Sequence, residues 1–473
     1  MKKTSIFFLL LIAFSSILNA QKEVTIKGKA AGAEGKVINL FACYDQLTYT
    51  LTKVAYANID STGNFSFDFK TDTTFYAYLK IDFNQSPIYI VPGKTYELSI
   101  QCPDCKSPDD KSNPYLKPKE LDVVISNSDS TELNNLIGRF NTDYQTFITK
   151  NYTALLKLRK RSKLDSFRLA INKRYGWVKD AYFNSLVKYN EAYVEEFAQL
   201  TGPERLAKKY ICYRPVLYNN TGYMEFFNDF FKDFLTMESQ YITKTDLYKT
   251  INQLKSYTAF MDTLGKDTIL RNEVIREMVA MKGLGELYYT KDFDQSVILG
   301  FFKEIEVNSK FPLHRLIAAN YIKILTRLAP GTKAPDFTLK DFNGQNYSLS
   351  EFNKDKYVYL VFWKTWCTSC IAEMEVINKL AVKYGTKVQF VGIAADKEFL
   401  TYSYFMQKTN KIKYTTVWGN NAELLENYNV MAYPTFVLID PDGKILQCPA
   451  EAPSAELDGL LHDLTKEKKT DYK

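Results

Sequence analysis

Histidine is almost missing from this chain of 473 residues, which holds only His314 and His462. That poverty argues against a histidine-built metal site and against a serine–histidine triad. Both histidines are expected to be ordinary surface or packing residues, and no metal or cofactor is expected. Beyond residue 20 no run approaches the roughly 18 apolar residues that a membrane span needs, so no integral membrane span is expected. No cysteine precedes Cys43, so no lipid-anchor cysteine is expected behind the N-terminal apolar stretch. A dense basic stripe is absent too: 61 Lys+Arg stand against 54 Asp+Glu, a mild excess for this length, and no nucleic-acid partner is expected. Short clusters such as Lys157-Leu158-Arg159-Lys160-Arg161 read as the solvated face of a helix. No fixed period marks a repeat array. Gly283-Leu284-Gly285 is too short a glycine pattern for nucleotide binding and reads as a helix break.

What is present suits large packed cores. Hydrophobic residues make up 46%, and the 34 Tyr and 32 Phe are expected to pack in β and helical cores. The length implies about three domains. Lys2 and Lys3, an apolar stretch over 6–14, and Ser15-Ser16-Ile17-Leu18-Asn19-Ala20 form a secretory signal peptide, with cleavage expected after Ala20. Without Lys2 and Lys3 the 61 cations become 59 against 54 anions. The mature protein is expected to be soluble and exported, where disulfides persist.

The seven cysteines are not equivalent. Cys367-Thr368-Ser369-Cys370 follows an apolar run over 357–362 that reads as a buried strand. It precedes 371–380, whose apolar positions recur at helical spacing. A helix N-terminus offers unpaired N–H groups and partial positive charge, and both favour a thiolate. Two cysteines so placed can cycle between dithiol and disulfide through a mixed disulfide. Half a zinc site or a structural bridge is the alternative; the strand before and the helix after favour redox work. Cys102-Pro103-Asp104-Cys105 instead enters a loop with no helix start, and reads as a local structural disulfide. Reduced or metal-binding thiols and a second redox centre are its alternatives. Cys43, Cys212 and Cys448 are left over, and the odd total leaves at least one thiol free or paired outside the chain.

The chain reads as a multidomain protein: signal peptide 1–20, β-sandwich-like domain 21–122, helical domain 123–328, and an α/β domain over 329–473. In the first, alternating segments 24–28, 37–40, 54–59, 65–69, 88–90 and 96–100 are separated by turns at Asp60-Ser61-Thr62-Gly63-Asn64 and Pro92-Gly93-Lys94. Pro103, Pro108, Pro114 and Pro118 punctuate a linker. Helical patterning follows, over 164–175, 182–200, 224–237, 246–264 and 313–328. The last domain runs strand 337–340, strand 346–349, a short helix, strand 357–362, and the CxxC helix. Strand 388–393, helix 398–408, strand 414–418, helix 422–428, a hairpin of 435–440 with 444–447, and helix 454–465 complete it.

Gly331-Thr332-Lys333-Ala334-Pro335-Asp336-Phe337, Phe362-Trp363-Lys364-Thr365-Trp366-Cys367-Thr368-Ser369-Cys370, Glu373, and Ala432-Tyr433-Pro434-Thr435-Phe436-Val437-Leu438-Ile439-Asp440 together resemble a thioredoxin-fold protein of the TlpA-like, cytochrome-maturation-related group, over about 330–468. The first two domains resemble, more weakly, the β module and helical spacer that precede such domains in some bacterial envelope proteins. The resemblance implies a thiol-disulfide oxidoreductase of the periplasm or cell envelope, with Cys367 the exposed nucleophile and Cys370 the buried resolving thiol. Pro434 would be cis against the disulfide. Tyr433 would present backbone to an extended substrate strand, with Thr435 and Trp366 beside it and Trp363 underneath. Glu373, three residues past Cys370 on one helix face, would accept its proton. The partners implied are disulfide-containing envelope proteins, apocytochromes among them, and a membrane thiol relay as electron donor. Disulfide oxidation or isomerisation, and an envelope partner-binding module with a secondary redox role, are the alternatives. Three departures stand out: Thr368-Ser369 replaces Gly-Pro between the cysteines, Val361 stands where thioredoxin has a buried acid, and Glu375 replaces a helix-kinking proline. Lys364 stands where a peroxiredoxin has threonine, which disfavours that chemistry.

Overall fold

The computed structural model describes residues 21–82, 84–102, 120–237, 241–409 and 412–466. The signal stretch 1–20, Cys105 and the four linker prolines lie outside the described residues.

The first part of the chain holds strands β1 (Lys22–Ala31), β2 (Val37–Ala42), β3 (Thr52–Asn58), β4 (Asn64–Thr71), β5 (Phe75–Ile81), β6 (Asn84–Ile90), β7 (Thr95–Gln101) and β8 (Asp122–Ile125). They form two four-stranded sheets, ordered β4-β1-β7-β8 and β3-β2-β5-β6. Alternation sends Val24, Ile26, Leu40, Phe67, Leu79 and Leu98 from both sheets into one buried cluster. β8 pairs antiparallel with β7, so that sheet continues a few residues past 122.

Helices follow: α1 (Leu133–Leu156), α2 (Arg161–Tyr175), α3 (Ala181–Phe197), α4 (Pro203–Tyr210), α5 (Thr221–Phe230), α6 (Lys244–Tyr248), α7 (Tyr257–Leu264), α8 (Glu273–Leu287), α9 (Gln295–Asn308) and α10 (Pro312–Thr326). Polar side chains start several of them: Glu132, Asp180, Asn220, Asn272 and Asp294 each accept from backbone N–H groups of the first turn. Two expectations fail here. Lys157-Leu158-Arg159-Lys160-Arg161 is not a helix face. Residues 157–160 are the turn between α1 and α2, with Arg159 at φ 47°, and Arg161 opens α2; the two arginines donate to Gln199 and the Leu200 carbonyl beyond α3. Gly283 and Gly285 do not break the helix but lie inside α8. A Cβ at Gly283 would sit 2.2 Å from Leu235 Cδ1, and one at Gly285 2.6 Å from the Tyr321 ring, so the glycines allow close packing.

The last part carries β9 (Thr338–Lys340), β10 (Asn346–Ser348), α11 (Leu349–Phe352), β11 (Tyr357–Trp363), α12 (Thr368–Tyr384), β12 (Val388–Ala394), α13 (Phe399–Lys408), β13 (Thr415–Trp418), α14 (Ala422–Asn427), β14 (Thr435–Ile439), β15 (Ile445–Gln447) and α15 (Leu457–Thr465). The sheet order is β10-β9-β13-β12-β11-β14-β15, with β11 parallel to β12 and antiparallel to β14. Because successive residues face opposite sides, Val358, Leu360 and Phe362 of β11 enter one core while Tyr359 and Val361 enter another. The second core is closed by Ile377 and Leu380 of α12 and by Leu457 and Leu461 of α15. Val361 is fully buried there, an apolar filler between sheet and helices. α12 runs unbroken through Glu375. The central strand therefore delivers its C-terminal end, and the residues just after it, to the start of α12.

Candidate redox site

β11 ends at Trp363, whose buried indole packs against the rings of Phe405, at 5.5 Å between centroids, and Tyr402. Gly392 on neighbouring β12 makes room, since a Cβ there would stand 3.1 Å from Trp363 Nε1. The chain then turns, the Cys367 N–H donating to the Lys364 carbonyl at 3.0 Å. Cys367 is the N-cap of α12, and its Sγ accepts from the Cys370 N–H at 3.2 Å. The two cysteines form a disulfide, with Cα atoms 5.2 Å apart. Ser369 Oγ lies 3.4 Å from Cys367 Sγ. Sulfur thus sits where a helix offers free N–H groups, the setting that favours a thiolate.

Cys367 is less open than the expected exposed nucleophile, at 5% against 1% for Cys370. It belongs to a cluster with Trp363, Met374 and Tyr402, with Tyr433 packed against it. Tyr433-Pro434 is a cis peptide. Thr435 opens β14, pairs with Phe362, and donates its hydroxyl to the Ala432 carbonyl. Trp366 stands out at 71% exposure, the obvious apolar handle beside the disulfide. Lys364 Nζ lies 4.8 Å from the Tyr433 ring centroid and 5.6 Å from that of Trp366.

Glu373 lies on α12 one turn past Cys370. Among the described residues its carboxylate makes no hydrogen bond to a cysteine; it accepts from the Ser454 N–H at 2.9 Å and the Ser454 hydroxyl at 2.5 Å. A second acid was not foreseen. Asp396, just beyond β12 and 3% exposed, accepts from the Thr365 N–H at 3.1 Å and the Thr365 hydroxyl at 2.7 Å. Its carbonyl accepts from Trp418 Nε1 at 2.7 Å. Asp396 therefore clamps the residue two before Cys367. Its negative charge adds to burial in raising the Tyr433 phenol. The signal available in sequence was an acid directly after a buried strand neighbouring the CxxC strand.

The other sulfurs differ. Cys43, Cys212 and Cys448 are free. Burial pushes Cys43 up to about 11, with Asp45 adding, and burial alone takes Cys448 to about 11. Such thiols hold their protons at neutral pH and are poor nucleophiles. Cys102 is disulfide-bonded, but the expected bond to Cys105 falls outside the described residues. His314 is fully buried with Nε2 2.7 Å from the Tyr218 hydroxyl, and His462 is exposed. Among the described residues no group of three or more His, Cys, Asp or Glu could hold a metal, and no helix is long and apolar enough to cross a membrane.

Comparison with known proteins finds matches over the stretch of chain that carries this site. The AhpC/TSA family profile matches residues 330–448. The thiol-disulfide oxidoreductase ResA of Bacillus thuringiensis subsp. konkukian (strain 97-27) is 34% identical over 137 residues, covering 28% of this chain and 78% of that relative. ResA of Geobacillus kaustophilus (strain HTA426) is 33% identical over 132 residues, covering 28% and 75%. Among solved structures, the thioredoxin domain of a thiol-disulfide oxidoreductase from Bacteroides vulgatus shows 25% identity and a TM-score of 0.27, covering 29% of this chain and 99% of that one. With a thioredoxin-fold domain at its C-terminus and this relationship to ResA, the chain belongs to the TlpA-like thiol-disulfide oxidoreductases.

Proposed function

We propose that the protein is exported to the cell envelope and there reduces disulfides of other envelope proteins through Cys367 and Cys370. The observation that carries this reading is Cys367 at the head of α12, its sulfur bonded to Cys370 and accepting that residue's N–H. In the reduced enzyme the Cys367 thiolate attacks a substrate disulfide. One Cys367–substrate disulfide forms and one substrate thiolate leaves. Cys370 then loses its proton and attacks Cys367 Sγ, releasing the second substrate thiolate. The substrate gains two electrons and two protons, and the enzyme is left as the Cys367–Cys370 disulfide. Returning it to the dithiol needs an external dithiol donor, which a membrane thiol relay supplies in this reading.

Cys370 is the more buried sulfur, and burial makes a thiol hold its proton. Glu373 is the assigned proton acceptor, oriented by Ser454. Tyr433, Pro434 and Thr435 form the edge that an extended substrate meets, and Trp366 packs beside its disulfide. Residues 21–122 are read as a sandwich-like domain and 123–328 as a helical domain; these two recruit the partner, while 329–473 does the chemistry.

Replacing Cys370 with Ser tests the assignment. The resolving attack is then impossible, and mass spectrometry should find trapped adducts on Cys367; adducts on Cys102 in their place would overturn it. The potential of the couple tests direction. A value near about −270 mV supports the reductant, and one near about −120 mV would make the protein an oxidant.

A further inference from the structure

We propose that Lys364 is a specificity-determining residue that selects disulfides flanked by acidic side chains, an inference that rests on Cys367 as the nucleophile. Lys364 and Cys367 bracket a single turn, joined by the Cys367 N–H to Lys364 carbonyl bond of 3.0 Å. Its ammonium is held between two rings, 4.8 Å from the Tyr433 centroid and 5.6 Å from the Trp366 centroid. Those are the two aromatic side chains assigned to the substrate face. Aromatic faces attract a cation but do not neutralise it. The Asp396 carboxylate, though its charge bears on Tyr433, is hydrogen-bonded to the Thr365 hydroxyl rather than to Lys364. Among the described residues no carboxylate forms an ion pair with Lys364. A substrate strand laid along Tyr433 and Pro434 therefore meets a fixed, unpaired positive charge about one turn from the reacting sulfur.

A cation there also favours the Cys367 thiolate, but that benefit is the same for every substrate. The sequence around the substrate disulfide is what the charge discriminates. A partly solvated pair across an interface is worth a preference of about three- to tenfold at low salt. The plain alternative is that Lys364 serves only as an aliphatic stem packed on Trp366.

The test uses the full chain and three peptides with the same disulfide, flanked by Glu, Gln or Lys. The quantity read is the kcat/KM ratio of the Glu to the Lys peptide, at about 0.01 M and about 1 M salt, where the screening length falls from about 30 Å to about 3 Å. The unmodified protein and Lys364→Arg should favour the Glu peptide about three- to tenfold at low salt. Lys364→Met, which keeps the stem, should bring the ratio near one, and Lys364→Glu should invert it. All differences should vanish at high salt. An unchanged ratio in Lys364→Met, or a ratio indifferent to salt, would overturn the proposal. The two readings fail separately. Equal turnover of all three peptides by active protein sinks only the role of Lys364, whereas Cys367→Ser protein that still reduces them sinks the site itself.

Discussion

Two regions of this molecule bury carboxylates, and they treat the charge in opposite ways. In the helical region Glu195 is 1% exposed, and its oxygens accept from Arg168 at 3.0 Å, Lys209 at 2.8 Å and the Tyr210 hydroxyl at 2.9 Å. Cations answer it. Near the disulfide, the buried Asp396 and the partly exposed Glu373 on α12 are held by neutral donors only, the Thr365 and Ser454 N–H and hydroxyl groups. Hydrogen bonds orient those two without cancelling them. A buried charge that serves the fold is paired off, because an unpaired one is costly. A charge left uncancelled beside reacting atoms remains free to act on them, by taking a proton or by setting the local field.

Glu373 is where that contrast should have its largest effect. If its uncancelled carboxylate takes the Cys370 proton, Glu373→Gln keeps the hydrogen bonds to Ser454 in part and slows turnover by roughly 10–10³-fold, since a positioned base contributes about 10²–10⁴-fold and water partly substitutes. Mixed disulfides on Cys367 should accumulate in stopped-turnover samples. Turnover equal to the unmodified protein from pH 6 to 9 would place Glu373 with the structural carboxylates instead.

Glu195 should fail the other way, through stability. Burial would raise its carboxyl, but hydrogen bonds from Lys209, Thr201, Tyr210 and Arg168 outweigh that and hold it at about 2. A depressed acid stabilises the fold above its unfolded value and loses that contribution as pH falls toward about 2. Glu195→Gln should therefore cost roughly 3 kcal/mol near pH 7. The gap should close between pH 4.5 and about 2 in chemical unfolding curves. Thiol transfer per folded molecule should not change.

Asp396 lies between these extremes. Its loss should loosen Thr365 and with it the approach to Cys367. In Asp396→Asn one amide N–H would face the Thr365 N–H, and kcat/KM should fall by about tenfold, the scale of one misplaced positioning contact. A structural role would instead lower the melting temperature in proportion to activity, so melting curves and the potential of the couple separate the two.

How much of this is legible in sequence follows from distance along the chain. The C-terminal unit is written in local signals: an apolar run for β11, the CxxC at a helix start, and Pro441-Asp442-Gly443 turning β14 into β15 with Gly443 at φ 78°. Strand and helix ends fall within a few residues of expectation. The clamps are another matter. Asp396 lies 31 residues from Thr365, and Ser454 lies 81 from Glu373. No local periodicity encodes such contacts. The same limit explains Gly283 and Gly285, whose meaning depends on Leu235 and Tyr321 packed across from them. It also explains why Arg159, anchored to Gln199, lies in a turn, while Arg161, anchored to Leu200, opens α2. β5 escapes notice although Phe75, Ala77, Leu79 and Ile81 alternate cleanly, because its intervening Tyr76, Tyr78 and Lys80 mask the polar side.

Glu196 sharpens the comparison within a single helix, one residue from Glu195. Burial pushes its carboxyl up to about 8, Asp229 adds to the rise, and among the described residues its buried Oε2 has no hydrogen-bond partner. An acid with a raised folded value binds its proton more tightly in the fold than in the unfolded chain. Stability is then lost as pH rises from 4.5 to about 8, the opposite sense to Glu195. Glutamine carries no such penalty. Glu196→Gln should match the unmodified protein near pH 5 and exceed it by about 1–2 kcal/mol at pH 9, a modest figure because the side chain is partly solvated. Unfolding curves at the two pH values read the difference directly. A Gln variant less stable than the parent at pH 9 would mean that the ionised Glu196 carboxylate has a cationic partner after all.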